Sequence, residues 1–103
     1  MHSKGIIHKD LKLANILLSS KENGEYDIRI IDFGFAHFIS SKEDCKILAG
    51  TPGFTAPEML RGSSYDCKAD IFSIGSITYK LLTGRFLFAG KDAKEMMKSN
   101  KNC

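Results

Sequence analysis

The sequence predicts an α+β fold, mainly helical, with one small β-hairpin. Three observations carry that expectation. Residues 67–83 form the longest helix-compatible stretch, with apolar side chains at 69, 71, 72, 74, 77, 79, 81 and 82. Two strand-like runs, Ile16-Leu17-Leu18 and Asp27-Ile28-Arg29-Ile30-Ile31, flank an Asn23-Gly24 dipeptide, and Asn-Gly between such runs is a turn signal. The 103 residues are 43% hydrophobic and 26% charged, ordinary values for a globular chain with room for one domain at most.

Each element can be justified in chain order. Gly5 reads as the C-cap of a helical turn ending near Lys4. A helix that short does not stand alone, so the N-terminus reads as cut. The two apolar runs then form a hairpin with a somewhat long loop. From 32 to 57 the chain is rich in Gly, Ser, Thr and Pro and has little periodicity, the mark of a functional or disordered loop. Pro57 to Gly62 reads as one short helix, with Pro at its first position and Gly just past its end. Asp66 is the expected N-cap of the 67–83 helix and Gly84 its C-cap. Apolar residues cover more than one face of that helix, the mark of a helix buried on all sides, so it needs neighbours on every flank; these 103 residues offer too few, and it is expected to be left partly uncovered. Residues 91–100 read as a last, polar helix that runs off the end of the chain.

Charge and cysteine usage exclude several function classes. The formal charge is +3 and the pI about 8.8. Acids and lysines are interspersed, and only Lys91, Lys94, Lys98 and Lys101 lean basic, against Asp92 and Glu95. No aromatic follows Phe88. A nucleic-acid surface would concentrate positive charge and interleave aromatics with it, so the basic stretch reads as a solvated helix face. No apolar run approaches the roughly 20 residues of a membrane span, and the first five residues lack a secretory h-region. Cys45, Cys67 and Cys103 form no CxxC or Cys/His cluster. Reduced thiols and an intracellular, most simply cytoplasmic, location are the expectation.

Three groups carry chemistry: His8 to Asn15, Asp32-Phe33-Gly34, and Gly50-Thr51-Pro52 leading to Ala56-Pro57-Glu58. Asp10, Asn15 and Asp32 are oxygen ligands or proton acceptors. A hairpin brings Asp32 back towards Asn15, which gathers two carboxylates, a carboxamide and Lys12 around one point. Mg²⁺ binds one or two carboxylates plus phosphate oxygens. Lys12 can neutralise charge on a transferring phosphoryl group, and Asp10 can accept a proton from an incoming hydroxyl. These residue types fit metal-assisted phosphoryl transfer.

On those residues the sequence resembles the C-terminal lobe of a eukaryotic protein kinase. His8-Lys9-Asp10-Leu11-Lys12-Leu13-Ala14-Asn15 is similar to the catalytic-loop pattern H-R-D-L-x-x-x-N, Asp32-Phe33-Gly34 to D-F-G and Ala56-Pro57-Glu58 to A-P-E. Asp70-Ile71-Phe72-Ser73-Ile74-Gly75 resembles the opening of the family's central buried helix. The resemblance implies one partial kinase domain over 1–103, with a catalytic loop at 8–15, an activation segment at 32–58 and ATP and Mg²⁺ as cofactors. It implies that Asp10 is the catalytic base, that Lys12 contacts the γ-phosphate, and that Asn15 and Asp32 hold Mg²⁺. Phe33 and Gly34 would set the active arrangement, Thr51 would line the substrate-facing loop, and Glu58 and Asp70 would be structural. In the family, Glu58 pairs with an arginine beyond this chain. Lys12 with Gly50-Thr51-Pro52 resembles serine/threonine kinases, and residues 90–95 look most like the calcium/calmodulin-dependent and calcium-dependent groups. Ser40 or Ser41 is a candidate for phosphorylation, with Glu43 and Asp44 as an alternative source of fixed negative charge.

The sequence departs from the family in two ways. Lys9 stands where the pattern has Arg, and Lys lacks the bidentate fork that grips a phosphate. The glycine-rich loop, the V-A-I-K lysine and its partner glutamate are not in the 103 residues. The expectation is therefore a domain truncated at both ends, active in phosphotransfer to a protein substrate only with an N-lobe or regulatory region outside this chain. The alternative is a non-catalytic, kinase-like binding or regulatory module.

Overall fold

The computed structural model describes residues 1–39 and 50–103. Ser40, Ser41, Glu43, Asp44 and Cys45, which the sequence reading singled out, lie outside the described residues.

A short 3-10 turn, His2–Lys4, opens the chain. Gly5 ends it at φ 69°, donating its N–H to His2 O, a left-handed conformation that costs glycine little. Strand β1 (Ile6–Ile7) follows, then a 3-10 turn at Leu13–Asn15, β2 (Ile16–Ser20) and β3 (Tyr26–Ile30). β2 and β3 pair antiparallel in the register Ile16↔Ile30 to Ser20↔Tyr26. The connecting loop closes with Gly24 N–H donating to Lys21 O. Ile31 N–H donates to Asn15 O (2.9 Å), so the chain entering residue 32 returns beside Asn15.

Two strands, β1 and its partner, escaped the sequence reading. β4 (His37–Phe38) pairs antiparallel with β1, as Ile6↔Phe38 and Ile7↔His37. Two residues are too few for a period to register, and their pairing is non-local. Three helices complete the described chain: α1 (Pro57–Leu60), α2 (Lys68–Thr83) and α3 (Ala93–Lys101). Gly84 terminates α2 at φ 71°, with its N–H on Lys80 O. Cys67, not Asp66, occupies the N-cap position of α2, yet Asp66 Oδ1 accepts from the Lys68 N–H (2.7 Å). Asp92 caps α3 by accepting from Glu95 N–H. α3 closes at Lys101, inside the chain.

Within the described residues α2 lacks neighbours for several of its apolar faces, as expected. Its buried residues are Ala69, Asp70, Ser73, Ser76 and Ile77. Ile71, Ile74, Leu81 and Leu82 are exposed, Leu82 by 81%. The buried face is narrow and rich in small polar side chains because much of it meets backbone: Ser73 and Ser76 bond to Phe54 and Gly53, and Asp70 to His8 and Lys9. Two small cores flank it. One holds Ile7, Ala56, Met59, Tyr65 and Ala69; the other holds Leu11, Phe54 and Ile77.

Candidate active site

The segment 8–15 is irregular backbone, so its polar groups need partners from elsewhere. Asp70, at the start of α2 and 0% exposed, supplies them. Its Oδ2 accepts from the His8 N–H (2.9 Å) and its Oδ1 from the Lys9 N–H (3.0 Å). His2 Nε2 adds a third contact to Oδ2 at 2.7 Å. One buried carboxylate thus grips two successive amides. Lys9 sits at φ 70°, and with Asp32 (φ 60°) it is one of two non-glycine residues at positive φ among those described. Both fall inside the segments the sequence singled out, where stored backbone strain is commonly found.

His8 ties the two segments together. Its Nε2 lies 3.1 Å from Ile31 O and its Nδ1 lies 3.3 Å from the Asp10 N. An amide can only donate and a carbonyl can only accept, so the ring carries its proton on Nε2. The same ring meets Phe33, with centroids 5.0 Å apart, although Phe33 is half exposed.

The candidate reacting group is Asp10, which is buried. Thr51 Oγ1 donates to its Oδ1 (2.6 Å), and Lys12 Nζ donates to its Oδ2 (2.7 Å) and to Thr51 Oγ1 (3.1 Å). Asn15 Nδ2 donates to the Asp10 carbonyl (2.9 Å). Asp10, Lys12, Asn15 and Thr51 therefore form one cluster, although Thr51 is some forty residues away in sequence. Asp32 is exposed and accepts from the Gly34 N–H (3.3 Å). A Cβ on Gly34 would come within 3.2 Å of that carboxylate, so the glycine leaves Asp32 room. The hairpin brings Ile31, the neighbour of Asp32, to Asn15, whereas the Asp32 carboxylate is bonded to Gly34 rather than gathered into the Asp10, Lys12 and Asn15 cluster.

The remaining named residues lie apart. Glu58, on α1, lines an open cavity of about 370 Å³ with Ser64, Tyr65, Asp66 and Lys68. The sequence reading gave no role to two contributors: Ser73 and Ser76 of α2, whose hydroxyls donate to the carbonyls of Phe54 (2.7 Å) and Gly53. Their signal was small polar residues three apart on an otherwise apolar helix.

This geometry coincides with what comparison of the sequence finds. The sequence profile of the protein kinase domain matches residues 1–103. The chain belongs to the protein kinase domain family. It is 42% identical over its whole length to "Probable serine/threonine-protein kinase 2" of Plasmodium falciparum. It is also 42% identical over 101 residues, 93% of the chain, to "Serine/threonine-protein kinase ULK1" of Homo sapiens. The "Serine/threonine-protein kinase kin-29" of Caenorhabditis elegans is 43% identical over 96% of the chain. The chain spans 20%, 10% and 12% of those three relatives. Among the described residues no helix is long and apolar enough to cross a membrane.

Proposed function

We propose that the protein is a serine/threonine kinase that transfers the γ-phosphate of ATP to a protein hydroxyl, and that residues 1–103 supply the catalytic loop and substrate loop of its C-terminal lobe. The observation that carries this reading is the convergence of the Thr51 hydroxyl and the Lys12 ammonium on the two oxygens of the Asp10 carboxylate. A carboxylate held this way has lone pairs left to take the proton of an incoming serine or threonine hydroxyl. The O–P bond to the substrate forms as the bond from the γ-phosphorus to the ADP oxygen breaks. Lys12 lies where its charge offsets that gathering on the transferred group.

Mg²⁺ suits the donors present. Asn15 spends its amide nitrogen on the Asp10 backbone, which leaves its carbonyl oxygen for a hard cation, and Asp32 is an exposed carboxylate. Asn15 and Asp32 would hold it. Mg²⁺ supplies neutralisation of phosphate charge. Asp32 and Phe33 begin an activation segment that runs to Glu58, and Glu58 takes its arginine from outside these residues. The run at 90–95 supports membership of the calcium/calmodulin-dependent or calcium-dependent groups, and the location is cytoplasmic. The glycine-rich loop and its lysine, which this sequence lacks, come from elsewhere, so the 103-residue chain alone is inactive.

The test is phosphotransfer from ATP·Mg²⁺ by this chain and by the protein purified at its natural length, each beside its Asp10→Asn variant. Transfer by the natural-length protein, lowered about 10²–10⁴-fold in the variant, is expected. Equal rates in wild type and variant would refute the assignment of Asp10. A natural-length protein that binds partners but transfers nothing would point to the non-catalytic alternative. Calcium dependence of the rate tests the subgroup.

A further inference from the structure

Three successive carbonyls of the substrate-facing loop are each taken by a buried side chain from a helix. Ser76 Oγ donates to Gly53 O and Ser73 Oγ to Phe54 O, both from α2. The third, Thr55 O, receives Asn100 Nδ2 at 2.7 Å from α3. Asn100 is 0% exposed. Its own Oδ1 has no hydrogen-bond partner among the described residues. An idle buried carbonyl oxygen is unfavourable, and an apolar residue of similar shape would avoid it. Packing alone therefore does not favour asparagine at position 100.

What the amide does is reach the site through Thr55. Thr55 Oγ1 and the Thr55 N–H both donate to Thr51 O, at 2.9 and 3.2 Å. Thr51 Oγ1 in turn donates to Asp10. Every link from Asn100 to Asp10 is a direct bond to one of two residues, Thr55 or Thr51. The loop has little freedom elsewhere. Gly53 faces Met96 of α3 so closely that a Cβ would come within 2.8 Å of its Sδ, and Phe54 meets Phe86 edge-on at 5.8 Å.

We infer that Asn100 is a positioning residue of the reaction: by holding the Thr55 carbonyl it sets where Thr51 presents its hydroxyl to Asp10, and so makes acceptor-hydroxyl alignment depend on the seating of α3. This rests on the kinase reading above, and the experiment separates the two. The variants are Asn100→Leu, which keeps the shape and loses the donor, and Asn100→Asp, which keeps Oδ1 and puts a second oxygen where the donor was. The first measurement is amide exchange on the 103-residue chain. The 51–55 amides should exchange on the order of tenfold faster in both variants, with the middle of α2 unchanged; unaltered exchange at 51–55 overturns the anchoring. The second is steady-state kinetics of the natural-length protein. The kcat/KM for a peptide should fall on the order of tenfold, as a small misplacement near reacting groups does, while the KM for ATP stays within twofold. A merely structural role would instead lower stability or scale both substrates together. If wild type transfers phosphate and the variants match it, the inference is wrong. If wild type transfers nothing while exchange responds, the kinase reading fails and the positioning role falls with it.

Discussion

Replacing Asp70 probes the anchor of the candidate site at a single atom group. Asp70→Ala removes the acceptor for two amides, His8 N–H and Lys9 N–H, in residues that are 0% and 4% exposed. Each orphaned buried donor costs about 1–3 kcal/mol, so the pair costs about 2–6 kcal/mol. The His2 contact is left out of that sum, because His2 is about one-third exposed (32%) and screened by solvent. Asp70→Asn keeps one carbonyl oxygen, can satisfy one of the two amides, and should cost roughly half as much, about 1–3 kcal/mol. Domains are stable by roughly 5–15 kcal/mol, so the alanine variant should lose a large share of that margin. Urea unfolding of the 103-residue chain, followed by circular dichroism, gives the order wild type, Asn, Ala. Amide exchange resolves the cause, since His8 and Lys9 should lose protection first. An alanine variant within about 0.5 kcal/mol of wild type, a change typical of surface sites, would refute the claim that this carboxylate holds the loop.

Other substitutions give separate checks. Thr51→Val removes the hydroxyl shared by Asp10 and Lys12; phosphotransfer by the natural-length protein should fall on the order of tenfold, and Thr51→Ser should restore most of it. Gly50 lies at φ 112°, where an added Cβ would collide with Thr55 Oγ1 and lie 3.2 Å from Lys9 O. Gly50→Ala should therefore destabilise the chain by about 1–3 kcal/mol in thermal or urea unfolding. Leu81 and Leu82 are 67% and 81% exposed on α2. Their joint replacement by Ser should raise the concentration at which light scattering detects association, with the unfolding midpoint shifted little.

The elements legible in advance were those whose signal is local. Gly5, Gly24 and Gly84 mark turn or helix ends by backbone freedom. The hairpin was legible because Asn23-Gly24 lies between two strand-like runs, and it returned the chain at Ile31 to Asn15. β4 was not legible because its two residues pair with β1, about thirty positions earlier. That α2 would stay partly uncovered was legible, but which of its faces is buried was not, for a related reason. Apolar residues on several faces state which faces can be buried, not which neighbours arrive. Here the neighbour is the backbone of 53–54, which selects Ser73 and Ser76 for the inside and leaves Leu81 and Leu82 in water.

The sequence by itself determined the chemistry on offer: an acid, a lysine and a carboxamide at fixed offsets in 8–15, a second acid after the hairpin, and a threonine behind a glycine. Spacing along a chain suffices for that, because neighbours in sequence are held together by covalent geometry. Only the tertiary structure decided how those groups are held. Asp70 grips the loop from 61 and 62 positions away, Thr51 reaches Asp10 across 41, and Asn100 reaches Thr55 across 45. Such bonds leave no period to read, since a buried polar group is satisfied by whatever partner the packing of distant elements brings within about 3 Å.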